Sequence, residues 1–598
     1  MTFKKIYIGI ILIGISLSSC TDNFDLNNPN EISVEQVESS LSGTQDVLNS
    51  VYNAMYNDYL LDIVPLTLCS DMGYPGYGRQ EAPTNGKLSP FYFQTYTNSS
   101  DYITNNWAAL YTGIFRANQV IEGLNALAKQ NTSIAEGSEF KEQMGQARFF
   151  RGLFHYYLNL LYNNGDVIIF DFVPASDEDH RQSVSSSDSV KRFYRADLEY
   201  AYKNLPASWG QKDERVTAGT AATVLGQSYL YDDDFETSKK YLKDVISNNE
   251  YGYSLESEMS KMFTSEGEFN SESILEINYS LGIHPELTAW DQSAPTNELG
   301  VTSGTNLFTL PCWIEDLYQT EVMDTTDSRN YIEYTDADGK TKNDSLRTMP
   351  LRGSSMIATV QDDNTSWYLN PFTSASIKIN WQSGLGYYRK YCNWDIIDDE
   401  KNLPDGKFKS GKNVIVYRLS DVYLMYAECM LRQSSPDVTA ALKYMNLIRQ
   451  RWGLQLLGRP EDNPELDQSK QYDNIIYTPE TLFKQLQDID RPLEMSAEGF
   501  GERFFDLRRW NIMQQRFESL AATTYHLEGR SVPNPDNLSK PKQKWNVWVK
   551  KGEKTSDGQH EYNDFTIASQ NFNDSKSYWP IPLLEEQNNP NLYKSYNK

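Results

Sequence analysis

Leu419-Ser420-Asp421-Val422-Tyr423-Leu424-Met425-Tyr426-Ala427-Glu428-Cys429-Met430-Leu431 carries its apolar side chains at Leu419, Val422, Tyr423, Tyr426, Ala427, Met430 and Leu431. The spacing i, i+3, i+4, i+7, i+8, i+11, i+12 lines one face of an α-helix without a fault. Ser435 then reads as the cap of a second helix with Pro436 at its first position, where a missing N–H costs nothing. The second stripe, Val438, Ala441, Leu442, Met445 and Ile448, runs to a stop at Gly453. Two helices joined by about four residues pack antiparallel.

Further out, residues 220–246 repeat the pattern. Ala221, Leu225, Ser228 and Tyr229 form one stripe, Phe235, Tyr241, Leu242, Val245 and Ile246 the next, and Asp232-Asp233-Asp234 separates them. Small residues at the crossing and an aromatic near the turn resemble a tetratricopeptide unit. The aspartates lack the spacing and closing Glu of a calcium loop and read as a solvated turn and helix cap. Trp107, Tyr111, Ile114, Asn118 and Ile121 trace another amphipathic helix, and 148–161 reads as an apolar one with Arg148, Arg151 and His155 on one face. Such a row is either catalytic or, more commonly, a set of long side chains bonding carbonyls and carboxylates between packed helices.

Residues 265–412 differ in kind. Gly, Asn, Ser, Thr and aromatics dominate, including Trp290, Trp313, Trp367, Trp381 and Trp394, and strand-like pieces occur at 273–279 and 377–381. The expected architecture is mainly α: a helical part over 46–264, a loop-rich aromatic insert over 265–412 and a second helical part over 413–598. Aromatic residues make up 13% of the chain, with 12 Trp and 40 Tyr. Flat rings on loops stack on sugar rings; the competing reading is that large loops bury their own aromatics.

The N-terminus pairs Lys4 and Lys5 with an apolar run over 6–17 and the small residues Ser18 and Ser19 before Cys20. This is an export signal, since a run of roughly 12 residues is short of the about 20 needed to span a bilayer. Leu17-Ser18-Ser19-Cys20 resembles a bacterial lipobox, which implies removal of 1–19 and lipidation of Cys20, with 20–45 as the lipidated start and a polar tether. The net charge of −26 argues against nucleic acid, because neutralising phosphates needs a basic face. Cys69, Cys312, Cys392 and Cys429 show no CxxC, so a disulfide framework is not expected, though one bridge stays open. His155, His180, His284, His526 and His560 have no metal spacing, and no cofactor or metal is expected.

Several pieces in order then resemble the SusD/RagB outer-membrane lipoproteins of Bacteroidetes. They are Trp107-x3-Tyr111-x2-Ile114-x3-Asn118; Ala147-Arg148-Phe149-Phe150-Arg151-Gly152 with Gly165-Asp166-Val167; Tyr388-Arg389-Lys390-Tyr391; Tyr417-Arg418-Leu419-Ser420-Asp421; Asn446-x-Ile448-Arg449-x-Arg451; Arg503-Phe504-Phe505-Asp506-Leu507-Arg508-Arg509-Trp510; and Trp579-Pro580-Ile581-Pro582. The family usually places Pro after Gly-Asp-Val, where this chain has Ile168.

The resemblance implies a right-handed helical scaffold with tetratricopeptide-like pairs. It also implies a non-enzymatic lipoprotein on the outer membrane, facing outward, that binds polysaccharide or oligosaccharide and passes it to a SusC-like TonB-dependent transporter in a polysaccharide utilisation system. Plant or algal glycans, ulvan included, fit this reading. The alternatives are a surface glycan-degrading enzyme and a peptide-binding RagB-type lipoprotein. The family's ligand platform maps here to 71–96 and 290–394. Within these loops Trp367, Trp381, Tyr387 and Trp394 are the candidate stacking surfaces, with Tyr74, Tyr77 and Trp290 behind them. Asp71, Arg79, Asn98 and Arg389 are the candidate polar contacts. Arg418, Arg449, Arg503 and Asp506 are expected to be paired charges between packed helices.

Overall fold

A computed structural model of the protein describes residues 40–594, apart from 62, 76–87, 211–214, 280–307, 336–337, 377–385, 404–410, 538 and 555–558. Cys20, Tyr77, Arg79, Trp290, Trp381 and the strand expected at 377–381 lie outside the described residues.

Helix α1 (Leu41–Asn53) begins inside the stretch read as tether: the Ser40 hydroxyl accepts the Gly43 N–H at 3.1 Å, and Val47, Leu48 and Val51 are buried. Helix α2 (Ile63–Cys69) is buried throughout. The two longest helices, α3 (Asp101–Gln130) and α4 (Ser138–Leu161), lie together, and α5 (Ser187–Asn204), α6 (Ala218–Leu230) and α7 (Phe235–Ser247) each pack on the one before. A Cβ on Gly226 would come within 2.5 Å of Leu242, so glycine sets how closely α6 and α7 cross. Asp234 caps α7 by accepting the Thr237 N–H at 3.1 Å, so the aspartate run is a turn and a cap.

Arg148 and Arg151 of α4 both grip Asp197 of α5 at 2.7 Å, and Arg151 also donates to Asn118 at 2.9 Å. His155 is buried with Nδ1 2.9 Å from the Arg151 carbonyl. Burial, reinforced by the Arg151 charge, lowers its pKa to about 4 and keeps it neutral. The row holds helices together.

Strand β1 (Tyr74–Pro75) follows α2. Strand β2 (Ser273–Ile277) and β6 (Val414–Arg418), paired antiparallel with Ile277 opposite Val414, bracket the insert, so it leaves and rejoins the scaffold at one ribbon. Between them lie β3 (Phe308–Thr309), α8 (Cys312–Thr320), β4 (Ile357–Ala358), β5 (Tyr387–Tyr388) and a hairpin of 331–335 with 341–346.

Helix α9 (Leu419–Arg432) runs directly from β6 and packs on α10 (Val438–Arg451), as its spacing predicts. The cap differs from expectation. Asp437, not Ser435, caps α10 by accepting the Ala440 N–H at 2.9 Å, which leaves Ser435 and Pro436 in the turn. A carboxylate aimed at the first free amides outcompetes a hydroxyl placed further back. Helices α11 (Glu502–Arg509), α12 (Met513–Ala521) and α13 (Leu583–Asn588) complete the helical part. It also carries an unexpected antiparallel sheet of β7 (Tyr525–Val532), β8 (Lys542–Lys551) and β9 (Gln559–Tyr562), in the order β8-β7-β9.

Paired charges run through the interior. Arg418 is fully buried and bonds Glu498 at 2.7 Å and both Glu272 and Glu494 at 2.8 Å; Arg451 joins the same two glutamates. Arg449 pairs with Asp490 at 2.8 Å, and Asp506 lies between Arg491 and Arg509. Each of these buried charges has an opposite partner, which offsets the cost of leaving water. Cys69, Cys312, Cys392 and Cys429 are all buried, and none of them forms a disulfide among the described residues. Among the described residues no helix is long and apolar enough to cross a membrane.

Candidate functional site

Three short strand contacts fix the roots of the segments that carry the sequence candidates. Strands β1 and β3 pair with Tyr74 opposite Thr309 and Pro75 opposite Phe308. Strands β4 and β5 pair with Ile357 opposite Tyr388. The Leu310 N–H donates to the Gly386 carbonyl at 3.1 Å, the Tyr388 hydroxyl donates to the Met72 carbonyl at 2.8 Å, and the Phe308 and Tyr388 rings meet edge-on at 5.8 Å. The chain therefore leaves for 76–87 at Pro75, returns from 280–307 at Phe308 and returns from 377–385 at Gly386, all along one edge. Tyr77 and Arg79, Trp290, and Trp381 belong to those three segments in turn.

A clasp behind this edge makes it rigid. Arg503 of α11 holds Asp71 through two bonds of 2.8 and 2.9 Å, Arg516 of α12 adds one of 2.6 Å, and the Trp313 indole of α8 donates to the Asp71 carbonyl at 2.6 Å. Burial by itself would raise the Asp71 pKa, but the two arginines overcome it and hold the carboxyl at about 2. Asp71 is thus a fixed anion tying the β1 strand to the scaffold, and both oxygens are spent. It does not stand open to a sugar hydroxyl.

Several other candidates are also turned inward. Trp367 is 0% exposed and stacks on Trp394 at 6.2 Å and 23°. Arg389, equally buried, lies 4.5 Å from the Trp394 ring and 5.2 Å from that of Trp367. Its guanidinium is used on the Ile357 and Ser366 carbonyls and the Thr373 hydroxyl at 2.9, 2.7 and 2.5 Å. A tight turn closes this unit: Trp367 and Asn370 exchange backbone bonds of 2.9 and 3.1 Å, with Tyr368 at φ 48° and Leu369 at φ 58°. Tyr387 is buried in the β4–β5 ribbon, and Tyr74 is buried with its ring 5.1 Å from Tyr92. Asn98 is half-buried; it donates to Glu586 at 3.0 Å and takes the Leu583 N–H at 2.9 Å, tethering α13. The insert thus buries its own aromatics at 367, 387 and 394, the competing reading of the sequence.

The structure adds a border that the sequence reading missed. Arg530 of β7 reaches across to the insert, donating to the Val360 carbonyl and Gln361 at 2.9 Å and to Asp363 at 2.7 Å. Lys544 of β8 donates to the Ser376 carbonyl at 2.6 Å, one residue before the 377–385 segment, and burial depresses its pKa to about 8. Trp548 of β8 remains half-buried, with the Lys550 ammonium 3.9 Å from its ring centre and Arg530 at 5.8 Å. Gln319 of α8 donates to the Val549 carbonyl at 3.0 Å and locks the sheet to the clasp. The alternating Trp545, Val547 and Val549 of β8 were the available signal for a strand.

An amphipathic ring can stack on a sugar face; the cations beside Trp548 are already engaged, Arg530 with the insert and Lys550 with Glu528 at 2.7 Å. Of the described carboxylates at this edge, Asp71 and Asp363 are each bonded to arginine, and buried Glu315 of α8 accepts the Gly386 N–H at 3.2 Å, an arrangement suited to holding shape. Among the described residues no group of three His, Cys, Asp or Glu side chains is placed to hold a metal ion.

The model of the SusD family matches residues 271–597, and a model described as "Starch-binding associating with outer membrane" matches 23–230. A SusD-like protein of Bacteroides ovatus is 25% identical over 74% of this chain and 75% of its own length. SusD-like protein P25 of Formosa agariphila is 22% identical over 58% of this chain, which spans 62% of that relative. A SusD superfamily protein from Bacteroides vulgatus superposes with a TM-score of 0.65 at 19% identity, covering 93% of this chain and 98% of the other. A laminarin-binding SusD-like protein gives 0.60 at 18% identity, covering 92% and 99%.

Proposed function

Because the chain belongs to the SusD family, we propose that it is a glycan-binding lipoprotein without catalytic activity, held on the outer face of the outer membrane through lipidated Cys20. It delivers oligosaccharide to a SusC-like TonB-dependent transporter as part of a polysaccharide utilisation system. The observation that carries the glycan reading is the convergence of three loop roots, at Pro75, Phe308 and Gly386, on one braced edge. The half-buried Trp548, flanked by Lys550 and Arg530, borders this edge on β8. A structural neighbour that binds laminarin supports the ligand class.

In this reading Trp381, Trp290 and Tyr77 supply stacking faces and Arg79 a bidentate donor, with Trp548 as a further platform. Trp367, Trp394, Arg389, Asp71, Tyr74, Tyr387 and Asn98 maintain the frame. Affinity electrophoresis of the purified protein over plant and algal polysaccharides, ulvan and laminarin included, tests the reading. Retardation by at least one polymer, reduced in Trp381→Ala and Trp548→Ala, is expected. Retardation by none, or the appearance of new reducing ends or unsaturated products, contradicts it.

A further inference from the structure

A second concave surface lies on the helical scaffold, between the outer face of α3 and the segment 168–180. It is a groove of about 390 Å³ lined by Tyr111, Phe115, Phe170, Phe172, Pro174 and His180 among others. Cavities of about 150 Å³ already take up benzene, so an aromatic ring with its neighbours fits easily. Its walls are ordered: Phe170 meets Tyr111 at 5.7 Å and 89° and lies 5.8 Å from Phe172 and 6.4 Å from His180. Phe115, Phe170 and Phe172 are each only half-buried.

Apart from the His180 imidazole, the polar side chains of the lining are already used. The Tyr111 hydroxyl donates to the Ile168 carbonyl at 2.9 Å and accepts the Ile168 N–H at 3.1 Å. Asn118 donates to the Phe170 and Phe172 carbonyls at 3.0 and 2.9 Å and accepts from Arg151 at 2.9 Å. The Thr112 hydroxyl donates to the Ala108 carbonyl at 2.7 Å. A hydroxyl-rich sugar would lose water here and gain few hydrogen bonds, whereas an apolar side chain loses nothing. Asp171, Asp177 and Glu178 stand exposed on the segment, and Glu122 on α3 accepts the Val173 N–H at 2.7 Å. The Arg181 guanidinium on this rim is 3.2 Å from Glu178. An acidic rim around an aromatic groove favours a cationic, apolar occupant and repels anionic lipid.

We propose that this groove docks a basic protein segment which inserts an aromatic or branched apolar side chain flanked by lysine or arginine. The site is separate from the glycan edge and stands whether or not the glycan reading holds. The test is fluorescence anisotropy with a fluorescein-labelled Gly-Ser-Lys-Phe-Lys-Phe-Lys-Ser-Gly peptide on the full chain at low salt. Two control peptides carry Glu for Lys or Ala for Phe. Saturable binding of the first peptide is expected, at least tenfold tighter than either control. It should weaken at least tenfold in Asp171→Lys/Asp177→Lys, whose exposed side chains leave folding intact, and in Phe172→Ala. Absence of saturable binding, equal binding of the Glu peptide, unchanged binding in both variants, or displacement by a neutral oligosaccharide overturns the proposal.

Discussion

Leu419, Val422, Ala427 and Met430 recur on one face of α9 and are buried there, and Leu424 and Met425 outside the stripe are buried too, as in an apolar helix covered on nearly every side. Trp367 and Trp394 are buried just as deeply without any period. They meet because a two-residue turn at Tyr368 and Leu369 folds one loop back onto another and Arg389 fills the space above both rings. The scaffold thus records its burial in local sequence, whereas the insert records it in contacts between loops. The contrast also separates aromatics that hold the frame from those that border an open edge, where Trp548 stays half-exposed.

The comparison breaks most severely at Arg418, where the helical part keeps its densest charge cluster. Arg418→Ala removes the cation shared by Glu272, Glu494 and Glu498 and leaves these buried carboxylates to Arg451 and Lys390, and a loss of about 3–5 kcal/mol, or failure to fold, is expected by denaturant unfolding. In the insert, Trp367→Ala opens a large cavity and should cost about 3 kcal/mol, with any loss of glycan binding tracking the loss of folded protein.

His155 makes one contribution to the pH response of the scaffold. Its folded-state pKa of about 4 lies below the roughly 6.5 of an unfolded histidine, so the unfolded chain takes up a proton first as pH falls. The contribution of His155 should be constant above about pH 6.5 and fall by roughly 2–3 kcal/mol between there and pH 4, the component of the slope that His155→Asn removes. Urea titrations at stepped pH measure it.

A smaller effect of opposite sign sits in the insert turn. Leu369 is 58% exposed at φ 58°, a conformation that costs a branched residue about 1 kcal/mol, and Leu369→Gly should stabilise the protein by up to that amount. An unchanged or lowered melting temperature would mean that its side chain is held by contacts the exposure does not reveal.

The sequence made the helical pairs legible down to their crossings, because periodicity, small residues and turn aspartates are local signals. Arg418, Arg449, Arg503 and Asp506 were legible as paired charges, since a charge on an apolar stripe has to find a partner. The cap of α10 was misplaced by two residues because Ser435 and Asp437 both suit the role, and only backbone direction decides between them. Asp71 looked like a sugar contact on a loop; its grip by Arg503 and Arg516 comes from more than four hundred residues away and has no local trace. Trp548 lies outside the aromatic-rich stretch 265–412, so composition does not single it out, although alternation along β8 marks a strand.

The central claim is that glycan is held at the edge where the three loop roots meet and not on the Trp367–Trp394 stack. Comparing Trp548→Ala/Trp381→Ala with wild type on the polysaccharide that wild type retains most strongly tests it directly, with melting temperature measured on the same samples. The account predicts at least a tenfold loss of affinity with stability changed by no more than about 1 kcal/mol. Full affinity in the folded double variant would contradict it and place the glycan elsewhere.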